Sequence, residues 1–127
     1  MRRHKLFLLF FVVAILFLSG CKNEILILKD KKTIPEPKCI QLEKYIFIYE
    51  TGCPHCDKFF PVIRQVEKEL NVSFKKYNLA IEEDFKELQK MKIIPEGIPC
   101  VIISCRVYIG AGYTAQDLKK AILESKK

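Results

Sequence analysis

A pair of cysteines separated by two residues is the clearest chemical signal in this chain of 127 residues. The pair lies in Cys53-Pro54-His55-Cys56, between a strand-like run and a helix-like pattern, so Cys53 falls at a helix N-terminus. Unpaired N–H groups and the helix dipole at that end would stabilise a Cys53 thiolate. Cys56 lies one turn further along the helix and can close a disulfide with Cys53. This arrangement predicts thiol–disulfide exchange, in which Cys53 attacks or is attacked and Cys56 resolves the mixed disulfide.

The residues between the two cysteines suit the same chemistry. Pro54 fits the first position of a helix because the N–H that proline lacks would have no partner there. His55, when protonated, would add positive charge beside a thiolate, an effect that Asp57 would oppose slightly. We therefore interpret Cys53 and Cys56 as the catalytic residues and as a redox-active disulfide, with Pro54 and His55 as supporting residues.

The surrounding sequence predicts an α/β domain that would hold this pair. Tyr45–Tyr49 is apolar on both faces, as a buried strand is, and apolar residues recur at helical spacing over 54–70. Thr114 and Asp117 form a capping signal for a last helix. Because a hairpin comes late in the chain, the central sheet must be mixed, with helices on both faces. The predicted order is β-α-β-α-β-β-α, with strands at 45–49, 72–77, 100–104 and 107–109 and helices at 54–70, 81–91 and from 114.

Exchange chemistry is not the only role open to these cysteines. A Cys-x-x-Cys is also half of many zinc sites, but zinc needs four ligands and no second such pair occurs. A purely structural disulfide is a further alternative. Among the remaining cysteines, Cys100 could be a small core residue or could approach the active-site pair. Cys39 and Cys105 could form a second disulfide.

The segment from Cys53 to Pro61 resembles the active site of the thioredoxin superfamily, which places a proline eight residues after the first cysteine. Gly97-Ile98-Pro99 resembles the cis-proline loop of that family. The resemblance implies that Ile98 and Pro99 are joined by a cis peptide bond opposite the cysteine pair. It also implies that Ile98 offers backbone hydrogen bonds to a bound polypeptide. The implied architecture is the thioredoxin-like fold in its minimal, glutaredoxin-like version, over about residues 40–126.

Several residues depart from the family pattern, and these departures indicate which of the family's activities to expect. The Gly-Gly that helps glutaredoxins to hold glutathione is Gly110-Ala111 here, which argues against glutathione binding. Gly52 stands where thioredoxins have Trp, and Phe47 stands where they have a buried acid, so a proton relay through that acid is absent. Pro54-His55 matches the dipeptide of exported disulfide-forming oxidases, which favours oxidase or isomerase chemistry over general reduction.

The N-terminus carries a separate signal, for export. Residues 1–5 are basic, and residues 6–18 form an apolar run that is too short to span a membrane but typical of a signal peptide. Leu18-Ser19-Gly20-Cys21 resembles the bacterial lipobox, which implies cleavage before Cys21 and lipidation of its thiol. We expect residues 1–20 to be a lipoprotein signal peptide. The alternative is an ordinary signal peptide or an uncleaved anchor, with Cys21 incidental.

Composition and charge favour a small exported domain over a nucleic-acid-binding one. The formal charge of +7 includes three basic residues before position 6; without them, 19 basic and 15 acidic side chains give +4. The remaining lysines are scattered among acids, as on a solvated surface. We expect residues 21–38, with Pro35 and Pro37, to be a spacer from the membrane, and residues 39–127 to be the thioredoxin-like domain. Within the spacer, the short apolar run Ile25–Leu28 could be an edge strand.

Together these features predict a thiol–disulfide oxidoreductase that is lipid-anchored to a bacterial membrane and faces out of the cytoplasm, where disulfides persist. Its substrates would be protein thiols and disulfides. Neither an organic cofactor nor a metal is implied, nucleic acid is not an expected partner, and a membrane redox partner would exchange the electrons. The alternative function is a metal-binding lipoprotein that uses Cys53 and Cys56 on the same fold.

Overall fold

The computed structural model describes residues 24–127 together with Arg3 and Lys5. Apart from those two residues, the signal peptide predicted for residues 1–20 lies outside the described residues, and so does Cys21. None of the helices in the described part is long and apolar enough to cross a membrane. The strands are β1 Leu26–Leu28, β2 Tyr45–Tyr49, β3 Lys75–Asn78, β4 Ile93–Pro95, β5 Cys100–Ile103 and β6 Arg106–Ile109, and the helices are α1 Pro54–Leu70, α2 Glu82–Lys90 and α3 Ala115–Ser125, with a 3₁₀ helix at Cys39–Gln41.

The central sheet has four strands in the order β3-β2-β5-β6. β2 and β3 are parallel, whereas β5 is antiparallel to both β2 and β6, so the sheet is mixed. The predicted α/β class, with a mixed sheet flanked by helices, is therefore confirmed. The largest differences from the predicted order are that β3 covers Lys75–Asn78 rather than residues 72–77, and that β1 and β4 form a separate two-stranded sheet. The other element bounds differ by about one residue.

Strand β2 separates two hydrophobic cores, one on each face of the sheet. Ile46 and Ile48 point into one core and Phe47 into the other, and all three side chains are 0% exposed. The side chains alternate between the two faces because successive residues of a strand point in opposite directions. Neither face of β2 carries a polar residue in this central part, so helices or other strands can cover both faces of the sheet. The core around Phe47 also contains Phe59 and Ile63 of α1 and Leu118 and Ile122 of α3. The core around Ile46 and Ile48, here called the isoleucine core, also contains Leu28 of β1, Leu88 of α2 and Ile93 of β4.

The last helix begins as its sequence predicts. The Thr114 hydroxyl accepts a hydrogen bond from the Asp117 N–H at 3.1 Å, and the Thr114 N–H donates to the Asp117 carboxylate at 2.8 Å. These reciprocal bonds form a capping box, which satisfies backbone donors that would otherwise lack a partner at the start of α3.

Residues 26–38 are part of the domain, which corrects the spacer predicted for residues 21–38. β1 pairs in parallel with β4, and the side chains of Leu28 and Ile34 are only 2% and 3% exposed. The Lys38 ammonium donates a hydrogen bond to a backbone carbonyl of the loop before β4, at 2.8 Å. The spacer prediction was wrong here because the partners of this segment lie far away in the sequence. The folded unit begins at β1 rather than at residue 39.

The chain after β1 covers the outer edge of β6. The Lys31 N–H donates to the Val107 carbonyl at 2.8 Å, and the Val107 N–H donates to the Lys32 carbonyl at 2.9 Å. The Ile34 N–H then donates to the carbonyl of Cys105 at 2.7 Å. An uncovered edge strand would offer these backbone groups to other chains, so the segment protects the sheet from edge-to-edge pairing.

A disulfide between Cys39 and Cys105 closes the same segment onto the sheet. The two Cα atoms are 5.5 Å apart. Cys105 lies with Ser104 in the two-residue turn between β5 and β6, and both residues have positive φ, of 71° and 46°. Positive φ at both positions suits the twist of a tight hairpin. The sequence left the pairing of these cysteines open, and the structure joins them.

The Asp30 side chain attaches the segment after β1 to the C-terminal end of β6 and to the loop that follows it. Its Oδ1 accepts hydrogen bonds from the Ile109 N–H at 2.9 Å and from the Tyr113 hydroxyl at 2.6 Å. Burial disfavours the charged carboxylate, but these bonds and the charge of Lys31 outweigh it and hold the pKa of Asp30 below its usual value. Burial and the hydrogen-bonded Asp30 carboxylate raise the pKa of Tyr113 to about 12. The contact is therefore strongest when the carboxylate is charged and the phenol is neutral.

We expect Asp30→Asn to lower the free energy of unfolding by about 1–3 kcal/mol at neutral pH, because it weakens hydrogen bonds to a charged group. The folded-state pKa of Asp30 is depressed, so its stabilisation is present above the ordinary carboxyl pKa of 3.8 and is lost as the pH falls through the folded-state value. Denaturant unfolding of wild type and variant at neutral pH, and again well below pH 3.8, measures the difference. The difference should shrink in acid.

Tyr113→Phe is the matched control because it removes one of the two hydrogen bonds to the same oxygen. Its effect at neutral pH should be smaller, and the effects of the two substitutions should not add, since they share one interaction. Additive losses, or an Asp30→Asn effect that is equal at both pH values, would show that the carboxylate does not stabilise the fold in this way.

Candidate functional site

The turn that follows β2 positions Cys53. Gly52 has a φ of +87°, which residues with side chains disfavour, so glycine here lets the chain turn from the strand into α1. The Cys53 N–H donates to the Glu50 carbonyl at 3.2 Å and closes the turn. Cys53 is then the N-cap of α1, and Pro54 is its first residue, as the sequence predicts.

Cys53 and Cys56 form a disulfide at the start of α1. Their Cα atoms are 5.2 Å apart, and the Cys56 N–H donates a hydrogen bond to the Cys53 Sγ at 3.1 Å. The two side chains differ in accessibility, because Cys56 is 0% exposed whereas Cys53 is half-buried. An incoming thiolate can therefore reach the sulfur of Cys53 more easily than that of Cys56.

Aromatic packing holds the start of α1 against the end of β2. The ring of Phe60 meets the ring of Tyr49 edge-on, with centroids 4.7 Å apart, and lies edge-on to Phe47 at 5.2 Å. Such edge-to-face contacts have a preferred geometry and so orient the helix as well as attach it. His55, the predicted supporting residue between the cysteines, lies on the exposed side of the first turn.

Ile98 and Pro99 lie at the same end of the sheet as the cysteine pair. Cys100, the first residue of β5, pairs with Ile48 of β2. Continuing this register brings Pro99 beside Tyr49, where the chain leaves β2 toward the cysteines. The structure thus gathers the predicted site residues from two segments that are far apart in the sequence.

The Ile98–Pro99 peptide bond is cis, which confirms the prediction for this bond. A second cis bond, Glu36–Pro37, was not predicted. Pro99 is buried and its carbonyl accepts a hydrogen bond from the Gly110 N–H at 2.9 Å, whereas Ile98 is half-buried. The loop before β5 is therefore attached to the turn after β6, and part of Ile98 is accessible to solvent.

Asn78 is a buried polar residue beside the site that sequence reasoning missed. It ends β3 and is only 6% exposed. Its Oδ1 accepts hydrogen bonds from the N–H groups of Thr51 and Ala80, both at 3.1 Å, and its Nδ2 donates to the Thr51 hydroxyl at 2.7 Å. Asn78 therefore joins the turn before Cys53 to the loop after β3. The sequence signal that could have identified Asn78 is a polar residue at the end of the strand that follows α1. The carboxyl ends of parallel strands meet at one edge of the sheet, so such a residue lies close to the turn after β2.

Cys100 is a core residue rather than a third reactive cysteine. It is 0% exposed and has no disulfide partner. Burial, and to a lesser extent the negative charge of Asp30, raises the pKa of the Cys100 thiol to about 12. The thiol is therefore neutral at physiological pH and is a poor nucleophile.

The metal-binding alternative requires further ligands around the cysteine pair. Among residues 24–127, no group of three or more His, Cys, Asp or Glu side chains is arranged to hold a metal ion.

Comparison with known proteins identifies no family for this chain, since no protein-family model and no curated protein matches it.

We expect Asn78→Ala to lower the free energy of unfolding by about 1–3 kcal/mol, because it removes the three hydrogen bonds that this buried side chain makes to Thr51 and Ala80. It should also change the rate at which a small alkylating reagent modifies reduced Cys53, since the preceding turn loses its attachment. Ser73→Ala, at an exposed position before β3, is the control and should change neither quantity. If Asn78→Ala lowers stability but leaves the Cys53 alkylation rate unchanged, then Asn78 does not position the cysteine.

Proposed function

We propose that this protein is a thiol–disulfide oxidoreductase that exchanges disulfides with the cysteines of other proteins. The observation that carries the proposal is the disulfide at the N-terminus of α1, with Cys53 accessible and Cys56 fully buried. A helix N-terminus stabilises a Cys53 thiolate, which is the group released when the mixed disulfide with a client is resolved. A purely structural disulfide would not require this combination of helix end and unequal exposure.

In the oxidising direction, a client thiolate attacks the Sγ of Cys53. The Cys53–Cys56 bond breaks, a mixed disulfide forms between client and Cys53, and Cys56 leaves as a thiolate that takes up a proton. A second client thiolate then attacks the client sulfur of the mixed disulfide and releases Cys53 as a thiolate. The client has lost two electrons, which the reduced cysteine pair now holds.

The arrangement of the domain supports a thioredoxin-like fold of the glutaredoxin-like type. The order of strands and helices from β2 to α3, the strand order β3-β2-β5-β6 and the loop with Pro99 before β5 agree with that architecture. The fold explains the position of the site, because it brings Cys53 and Ile98-Pro99 to one end of the sheet. In this proposal the backbone of Ile98 binds the client polypeptide beside Cys53.

Oxidase or isomerase activity is the direction that we favour, on the resemblance of Pro54-His55 to the exported oxidases. A reduced form that is stabilised by its thiolate makes the corresponding disulfide a stronger oxidant. Continued oxidation of clients requires the reduced pair to pass two electrons to another protein, and a membrane thiol oxidoreductase is the expected acceptor. The cycle itself requires only cysteine sulfur and no organic cofactor.

Trapping of intermediates tests the proposal. Cys56→Ser should accumulate mixed disulfides formed when its Cys53 thiolate attacks a client disulfide, because no Cys56 thiolate is present to attack the Cys53 Sγ and release the client. Cys53→Ser should trap none. Cys100→Ala, which removes the buried thiol outside the pair, should behave like the wild type. Non-reducing gels and mass spectrometry of the trapped species measure the result. Equal trapping by both single variants would contradict the assignment of roles, and stoichiometric metal retained without exchange activity would favour the metal-binding alternative.

Attachment to a membrane is the second part of the proposal and depends on the sequence before β1. We propose that residues 1–20 direct export and that Cys21 carries the lipid, so that the domain faces out of the cytoplasm. Stable attachment requires more than one acyl chain, and lipidation of this type supplies at least two.

Cys21→Ala should release the domain from the membrane or leave an unprocessed precursor. Because Cys21 is distant in sequence from the cysteine pair, exchange by the purified variant should equal that of the wild type. Intact mass spectrometry and membrane fractionation provide the measurement. A wild-type mature chain that begins at another residue and carries no lipid mass would contradict the attachment proposal and leave the exchange proposal intact.

A further inference from the structure

The two-stranded ribbon of β1 and β4 has an apolar outer face. Its inward residues Leu28 and Ile93 are 2% and 1% exposed and fill the isoleucine core. Its outward residues Ile27 and Ile94 are also apolar and are 55% and 39% exposed, and Ile25, directly before β1, is 55% exposed. We call these three residues the isoleucine patch.

The isoleucine patch is continuous across the ribbon. Ile27 and Ile94 are paired in the parallel register, which places their side chains next to each other on one face. Ile25 lies directly before β1, two residues from Ile27, and is exposed to the same extent. A ribbon that covers a core on one side and meets water on the other normally carries polar residues outside. Adjacent exposed apolar side chains of this kind mark a surface that binds a partner or a membrane.

The position of the patch in the chain indicates what covers it. Only four peptide steps separate Cys21, the expected lipidation site, from Ile25, and an extended chain of that length spans about 14 Å. Because residues 26–38 are packed into the domain, they cannot act as a spacer that holds the ribbon away from the attachment point. The isoleucine patch must therefore lie close to the bilayer whenever the chain is attached through Cys21.

We propose that the isoleucine patch docks on the membrane surface, with the three isoleucine side chains in the interfacial layer of the bilayer. This inference rests on the membrane attachment proposed above. A lipid anchor alone would leave the domain free to rotate about its link. The additional apolar contact holds the domain in one orientation and so limits the directions from which a client can approach Cys53.

Single tryptophans provide a direct test, because the chain contains no Trp. Ile27→Trp and Ile94→Trp each introduce a reporter on the patch. Leu123→Trp is the matched control, since Leu123 is similarly exposed, at 52%, on α3 at the opposite face of the sheet. Each full-length protein is purified from the membranes of a bacterial host and reconstituted into vesicles of phosphatidylcholine and phosphatidylglycerol, with and without brominated acyl chains.

We expect Ile27→Trp and Ile94→Trp to show emission shifted to shorter wavelength and strongly quenched by brominated lipid, and Leu123→Trp to show neither change. Adding Ile27→Glu to Ile94→Trp should reduce the quenching, because a charged residue beside the reporter opposes insertion. Protein that floats with the vesicles but is quenched equally at positions 27 and 123 would overturn docking and leave attachment standing. Protein that does not float would overturn both.

Two further measurements separate this inference from its alternatives. A blue shift of Ile27→Trp that depends on protein concentration, without quenching by brominated lipid, would mean that a second copy of the chain covers the patch, and would overturn membrane docking. Exchange activity is measured on the same vesicles. Activity without quenching contradicts docking alone, whereas quenching without activity contradicts the proposed oxidoreductase and leaves docking standing.

Discussion

The complete burial of strand β2 is the constraint on which the rest of the domain depends. Its three central residues, Ile46, Phe47 and Ile48, have no exposed surface, and the strand is paired with β3 on one side and β5 on the other. A shift of one residue in register would exchange the two cores, so hydrophobic burial holds the strand in one position. The point at which the chain leaves β2 is therefore well defined. Gly52 turns the chain there, and Cys53 caps the start of α1.

The chemistry proposed for the cysteine pair follows from this placement. The helix N-terminus directs the Cys56 N–H and a favourable dipole toward the Cys53 Sγ, whereas Cys56 itself is fully buried. Asn78 adds a third constraint, because its side chain satisfies backbone donors in two loops that would otherwise move independently. In the proposed exchange reaction, exposure determines which sulfur a client thiolate reaches first, and the hydrogen bonds of Asn78 hold the turn before Cys53.

The N-terminal segment has several structural roles. Residues 30–34 cover the open edge of β6, Leu28 and Ile34 complete a core, and the Cys39–Cys105 disulfide closes the segment onto the sheet. The same packing shortens the connection between the folded unit and the expected lipid on Cys21. The close approach to the membrane that we propose would therefore follow from the same contacts that integrate the segment into the fold, because residues that are packed in the domain cannot also serve as a spacer.

The sequence by itself determined the features that depend on neighbouring residues. The helical period over Pro54–Leu70, the apolar run of β2 and the capping box of Thr114 are local patterns, and each formed as predicted. The Cys-x-x-Cys fell at the helix start for the same reason, since strand, turn and helix are consecutive in the chain.

Only the tertiary structure decided the features that depend on partners far away in the sequence. The pairing of β1 with β4, the Cys39–Cys105 disulfide and the contacts of Asn78 each join segments separated by many residues. A short, mixed polar and apolar stretch such as residues 24–38 has the same composition whether it is a linker or an edge segment. Its state is determined by whether a complementary sheet edge and an uncovered core are available, and those exist only once the rest of the chain has folded.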